Sequence, residues 1–482
     1  MKNILIALSL TLLSACGSDS SSKDSNSPTT TAEPPATSTD QPTESTDDNT
    51  DHNNTSGDLV SLTDTNKSDI IQLSVNDDGS WCYISRTSDD KESLTDHIDS
   101  WAGGWHQSLH CHDQQESFTH IAEDGQILVD VITSDRDTIF LLKAVKEGIF
   151  DYSLHLSQLN QAGQVVQQRA LIDTPDAHDL LYYSRTPTDI SVETFADLHK
   201  DNKPIIKEGE YAKLEWKNDN LFLLAKVYGL TLYELNKDLS IGSSHQIIPG
   251  FSSVVDDMDF SISKHGKVAV AYSFDKVSLP IINKHFNDHL TDDISDMSST
   301  IVTVLDMNSQ SSNRFVDSIP DNIKKLAGIE WQGEKLMVVS NALRRKGING
   351  TEHQDIDAIV ATYNVTSAIR ESTESINLDK HDYVQGTTLD SDNSLILYGS
   401  SGYRREHDLL RKGHGIVYRK TDQSTEIMIN KSIGAYSTIS DIHLTNNKIY
   451  YIYRYSPQEY ADCDLFKDEC GFHAGIAMEE LN

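Results

Sequence analysis

The sequence predicts an all-β fold, a β-propeller of about seven four-stranded blades, standing after an N-terminal stretch of different composition. Three observations predict it. Apolar alternating runs meet short Asn/Asp/Gly turns and resume as second apolar runs, which is a hairpin signature. Seven such turns recur about 45 to 85 residues apart, as an array of repeated sheet modules would require. Long amphipathic helical patterns are absent, and glycines and turn residues spread along the whole domain. Six or eight blades, or a pair of β-sandwiches, also fit the spacing.

In chain order, residues 1–15 read first as an export signal. Lys2 precedes the apolar run Ile4–Leu13, which is too short for a permanent membrane span. The run ends in Leu13-Ser14-Ala15-Cys16-Gly17, which resembles the lipobox of bacterial lipoproteins. The resemblance implies cleavage before Cys16 and acylation of its thiol by diacylglycerol and a third, palmitate-like chain. At about 0.8 kcal/mol per buried methylene, such an anchor holds permanently. Gly17, standing where an Asp retains enterobacterial lipoproteins in the inner membrane, implies the outer membrane.

Residues 16–58 carry this cysteine and a tether. From Gly17 to Asp58 there are nine acids, one lysine (Lys23), two alanines and no aromatic residue. Such a chain cannot bury enough apolar surface to offset its entropy. Its mean reach as a flexible coil is roughly 35 Å.

Residues 59–482 form the propeller domain. Its size exceeds a usual single core, but propeller blades each pack only on their neighbours and escape that limit. The whole chain holds 74 acids against 40 Lys and Arg, a net charge of −34. That charge excludes nucleic acid as a partner. Four cysteines follow Cys16: Cys82, Cys111, Cys463 and Cys470. An even count in an exported protein reads as disulfides. Three pairings exist; proximity favours Cys82–Cys111 and Cys463–Cys470.

The hairpin units run in order. Ile70–Val75 turns at Asn76-Asp77-Asp78-Gly79 into Trp81–Ile84. Ile127–Ile132 turns at Ser134–Asp137 into Ile139–Leu142. Tyr211–Trp216 turns at Lys217–Asn220 into Leu221–Leu224. Met258–Ile262 turns at Ser263–Gly266 into Val268–Tyr272. The last three turn at Gln332-Gly333-Glu334, Ser391-Asp392-Asn393 and Thr445-Asn446-Asn447. Third strands follow at Thr300–Leu305, Ala358–Tyr363 and Gly415–Tyr418, and a fourth at Glu426–Ile429. The segment Leu389–Ser401 with Gly415–Lys420 resembles the bacterial propeller repeat, an Asp-Ser-Asp-Gly-like turn and then a strand ending in Gly-Ser. The resemblance covers about two modules and implies fold, not activity. Asn393 replaces the repeat's glycine, as a residue tolerant of the left-handed region can. The last unit stops one strand short, and Leu59–Leu62 is a spare strand. A ring closed by that strand leaves no open edge.

No Gly-x-Ser-x-Gly, His-Glu-x-x-His, Walker or EF-hand motif is present, and no cofactor is implied. Trp101, Trp105, His106, His110, His112 and Asp113 form the densest unusual cluster. The tryptophans suit stacking on sugar rings, and His106 and His110, at i and i+4, would share a helical face if a metal were held there. Arg344, Arg345 and Lys346 in the fifth unit, with Arg404, Arg405, Arg411 and Lys412 in the sixth, place seven cations on neighbouring loops of an acidic protein. They suit carboxylate, sulfate or phosphate groups. The expectation is an outer-membrane-anchored binding or scaffold propeller for an envelope protein or anionic glycan. The alternative is a propeller hydrolase or lyase acting on a polysaccharide. A convergent group of acids and histidines at the centre of the ring distinguishes the two.

Overall fold

A computed structural model describes residues between 57 and 481. Outside the description lie 1–56, 89–104, 147–151, 175–211, 250–256, 276–297, 345–355, 457–472 and some shorter stretches. Cys16, most of the tether, Cys463 and Cys470 fall there.

Seven four-stranded antiparallel sheets make the propeller. The first blade is Lys67–Val75, Trp81–Ser88, Trp105–His112 and Ser117–Ile121, in chain order from the innermost strand. Blades two to five repeat this order. In the sixth, a short hairpin, Arg405–Glu406 with Leu409–Leu410, is inserted between the second and third strands. The seventh blade takes Tyr436–Thr445, Lys448–Ser456 and His473–Glu480, and its fourth strand is Gly57–Leu62 from the other end of the domain. The ring is therefore closed by the N-terminal strand, which begins at Gly57, within the stretch whose composition reads as tether.

Burial follows strand position. Second strands lie between two neighbouring blades, so both faces are covered: Leu221–Ala225 and Leu395–Ser401 are buried throughout. Fourth strands lie at the rim, and Ile369–Ile376 is mostly exposed. Among the described residues, seven apolar clusters fill the spaces between adjacent blades, one per interface. Each cluster takes one face of one blade and the opposite face of the next, as alternating side chains dictate.

The turns between first and second strands use the residues their backbone demands. Gly79, Gly266 and Gly333 have positive φ, and so do Asn218, Asp219, Asn393 and Asn447. Asn393 sits at φ 59°, where glycine stands in the repeat it resembles.

Polar side chains fasten each blade to the next. Gln107 Oε1 accepts from Leu128 N at 2.7 Å. Asn341 both accepts from Val384 N and donates to its carbonyl, each at 2.8 Å. At the closing seam, Asp69 receives Arg454 from the last blade at 2.8 Å and Arg86 from its own at 3.1 Å. The closing strand pairs Val60 with Ile476 and Leu62 with Ala474. Tyr453 lies over Gly475, where a Cβ would strike its ring, and so reaches Asp58 and Ser61 on the closing strand. Lys431 of the sixth blade binds Asp58 at 3.2 Å.

Candidate functional site: the central channel

The innermost strands of all seven blades line a polar cavity of about 500 Å³, within the size range of small-molecule sites. Aligned on their partners in the second strands, these inner strands contribute two levels of side chains. One level holds Gln72, Asp130, Lys213, Asp259, Gly328, Gly386 and Asp441. Two residues on, the next holds Ser74, Ile132, Glu215, Ser261, Glu330, Thr388 and His443. Lys217, Lys264, Gly333 and Asn393 complete the wall. They lie in or beside the turns after the first strands, so the cavity opens on the tight-turn face. At the other end of the inner strands, Lys325 pairs with Asp257 at 3.4 Å.

The first level is committed to structure. Asp130 Oδ1 accepts from Val131 N at 2.8 Å, and Oδ2 accepts from Leu214 N of the next blade at 2.6 Å. Asp259 Oδ1 binds Lys213 Nζ at 2.5 Å, and Oδ2 accepts from Ile329 N of the next blade at 2.9 Å. Asp441 Oδ1 accepts from Ile442 N, and its Oδ2 lies 4.0 Å from His443 Nε2. Gly386 leaves room for the Tyr398 hydroxyl, which enters the wall there.

The second level is committed only in part: Ser74 Oγ accepts from Thr133 N of the next blade at 2.9 Å, whereas its two glutamates are not fastened in this way. Glu330 receives one long hydrogen bond, from Ser261 Oγ at 3.3 Å. Among the described residues the Glu215 carboxyl has no hydrogen-bond partner. Both side chains keep some contact with solvent in the channel, but protein surrounds them on the remaining sides. Burial pushes Glu215 up to about 7; Lys213 and Lys217 oppose the rise and Asp259 adds to it. Burial, then the charges of Asp259 and Glu215, push Glu330 up to about 8, against Lys213 and the Ser261 hydrogen bond. Two carboxyls of one wall, on the third and fifth blades, thus titrate near neutral pH, which suits them to general acid–base work. Among the described residues no three His, Cys, Asp or Glu side chains are grouped as a metal ion requires.

The residues singled out in the sequence lie elsewhere. Cys82 and Cys111 are joined by a disulfide, directly opposite each other on the second and third strands of the first blade. Trp105 opens that third strand, paired with Ser88; its side chain and Trp101 are outside the described residues. His106 and His110 lie on this strand and not on a helix, because the disulfide partner strand claims their backbone. His110 contacts Ser85 Oγ at 2.9 Å and Thr119 Oγ1 at 3.2 Å. His110 stacks on Tyr83 and His112 on Trp81. Burial lowers the pKa of both histidines, and for His110 the His112 charge adds to it.

Arg344 ends the second strand of the fifth blade and Arg405 stands in the inserted hairpin of the sixth. Both belong to the end of the ring opposite the cavity mouth, since second strands run away from the tight turns. Arg345, Lys346, Arg404, Arg411 and Lys412 are outside the described residues. Sequence reasoning missed Glu215, Glu330, Asp259 and Lys213. The signal was present: charged residues at alternate positions of first strands that otherwise read apolar, as in Lys213-Leu214-Glu215-Trp216.

No family model matches the chain, and no curated protein matches its sequence. Solved structures with a similar fold include the β-propeller domain of the trilobed protease from Pyrococcus furiosus, at 8% identity over 80% of this chain and 91% of that one, TM-score 0.44. An ulvan lyase, a polysaccharide lyase bound to a GlcA-containing ligand, has 8% identity over 88% and 95%, TM-score 0.46. The extracellular domains of Drosophila Semaphorin 1b have 8% identity over 87% of both chains, TM-score 0.37. Each is a likeness of fold, and none transfers a role to a residue of this chain.

Proposed function

We propose that this propeller is an acid–base enzyme acting on a polysaccharide, held at the outer membrane through acylated Cys16. The observation that carries the reading is the pair Glu215 and Glu330. They are the channel carboxyls left uncommitted by the ring, and burial raises them to about 7 and about 8. Glu330, the higher of the two, holds a proton at neutral pH and serves as the acid. Glu215, the lower, is the base. Hydrolysis and elimination of a glycosidic linkage each need one group of either kind. Asp259 and Lys213 position the pair and neutralise each other. A wall of Gln72, Ser74, Ser261 and Thr388, with the Tyr398 hydroxyl, offers polar partners of the kind a sugar uses.

The test is depolymerisation of a panel of neutral and acidic polysaccharides, read as new reducing ends and as unsaturated products. The wild type is expected to cleave at least one, with a bell-shaped kcat/KM profile whose limbs fall near 7 and 8. Glu330→Gln and Glu215→Gln are each expected to lose about 10² to 10⁴ in kcat. Full turnover by either variant, or no turnover of any glycan by the wild type, overturns the enzyme reading and leaves a binding propeller.

A further inference from the structure

We infer that Lys217 and Lys264 form an anion subsite at the rim of the cavity, and that the substrate is an acidic polysaccharide whose carboxylate or sulfate group they hold. The inference rests on the channel being the working site and names the class of glycan it takes.

Lys217 ends the first strand of the third blade and Lys264 lies in the equivalent turn of the fourth. The two turns are tied together: Asn218 Nδ2 donates to the Ser263 carbonyl at 3.4 Å. Lys217 and Lys264 therefore stand beside each other on adjacent blades, both exposed and both in the cavity wall. Neither makes a salt bridge among the described residues. Their neighbours differ in this respect. His265 and Lys267 of the same turn are turned to Glu334, at 3.0 and 3.9 Å, and Lys213 is bound by Asp259. The local acids thus take the surrounding bases in salt bridges and leave these two unbridged, with the Glu215 carboxyl the acid whose charge Lys217 feels.

On a chain of net charge −34, two adjacent unbridged lysines at the mouth of an otherwise acidic channel mark where an anion is tolerated. An ammonium is a compact point charge with three donors, suited to carboxylate and sulfate oxygens alike. A sugar ring whose anionic group sat between them would place its neighbouring linkage below, at the level of Glu215 two residues earlier in the same strand. A neutral glycan gains nothing from the pair. The rim therefore selects on charge, while the level beneath handles protons.

The experiment measures binding, so that it does not depend on turnover. The full chain carrying Glu330→Gln is titrated with oligogalacturonate, with dextran sulfate and with unmodified dextran, before and after Lys217→Ala and Lys264→Ala are added together. The parent is expected to bind an acidic probe more tightly than dextran. The double lysine change is expected to weaken that binding about tenfold, with dextran affinity and melting temperature unchanged, and the difference is expected to shrink as salt is raised. Weakening confined to oligogalacturonate assigns a carboxylate; weakening confined to dextran sulfate assigns a sulfate. The subsite is overturned if the double variant binds both acidic probes as tightly as its parent. It is equally overturned if dextran weakens alongside them, or if the parent prefers neither acidic probe. The acid–base reading stands or falls separately, on turnover by the Glu215 and Glu330 variants.

Discussion

Asp130 and Asp259 share a channel with Glu215 and Glu330, and the two pairs do opposite things. The aspartates stand one level deeper and have short side chains. Each reaches a backbone N–H of the next blade, Leu214 N and Ile329 N, and becomes part of the ring's bracing. The glutamates stand one level on, on the inner strands of the third and fifth blades, and among the described residues neither carboxyl accepts from a backbone N–H. Their carboxyls are left at the cavity surface, short of partners and raised in pKa by burial. Two carboxylates of the channel thus hold neighbouring blades together, while two of the next level remain available for chemistry.

The contrast is broken most severely at the bracing level. Asp130→Ala leaves Val131 N and Leu214 N without an acceptor in a nearly solvent-free position. A loss of about 2–4 kcal/mol is expected in urea unfolding. A loss below about 0.5 kcal/mol, less than one ordinary buried hydrogen bond contributes, would show that the link between second and third blades is not carried there.

Glu330→Gln is expected to act on stability in the other direction. An acid whose folded-state pKa is raised binds its proton more tightly folded than unfolded. That stabilisation is fully present below the ordinary carboxylate value and is lost as pH rises through about 8. The variant does not titrate. It should therefore match the wild type near pH 4 and exceed it by about 1–3 kcal/mol near pH 9, a gain held to that range by the water that reaches the channel. Equal pH dependence in both proteins would place Glu330 in ordinary solvent. The same change removing activity while adding stability would distinguish a working group from a brace.

The smallest effect belongs to Ser261→Ala. The Ser261 hydroxyl holds Glu330 slightly down, so its removal is expected to move the alkaline limb of the kcat/KM profile slightly upward in pH. An unmoved or lowered limb would assign that limb to another group.

Much of the ring was legible in the sequence. The Asn/Asp/Gly turns at Asn76–Gly79, Lys217–Asn220 and Ser391–Asn393 locate first and second strands, and Leu59–Leu62 was readable as the strand that closes the last blade. The channel was not. A charged residue alternating with apolar ones is equally at home on an inner strand facing the cavity and on an outer strand facing solvent. Glu330 on a first strand and Glu374 on a fourth differ in this only through their place in the blade. The bulges in the inner strands, between Ile70 and Gln72 and between Leu326 and Gly328, shift register in a way no periodic pattern announces. Loops rich in arginine and tryptophan draw attention because their composition is unusual. The residues that converge are ordinary ones, distinguished by seven strands meeting on one axis.

The closing strand also settles where mechanical load enters. Tension arriving along the chain from before Gly57 acts on Gly57–Leu62, which is held by its pairing with His473–Glu480, by Tyr453 reaching over Gly475 and by the Lys431–Asp58 ion pair. Every other blade is built from consecutive strands and lies behind that seam. Under a pull the ring has a fuse: its two ends part first, six blades keep their pairing, and rejoining needs only one strand to find its slot again.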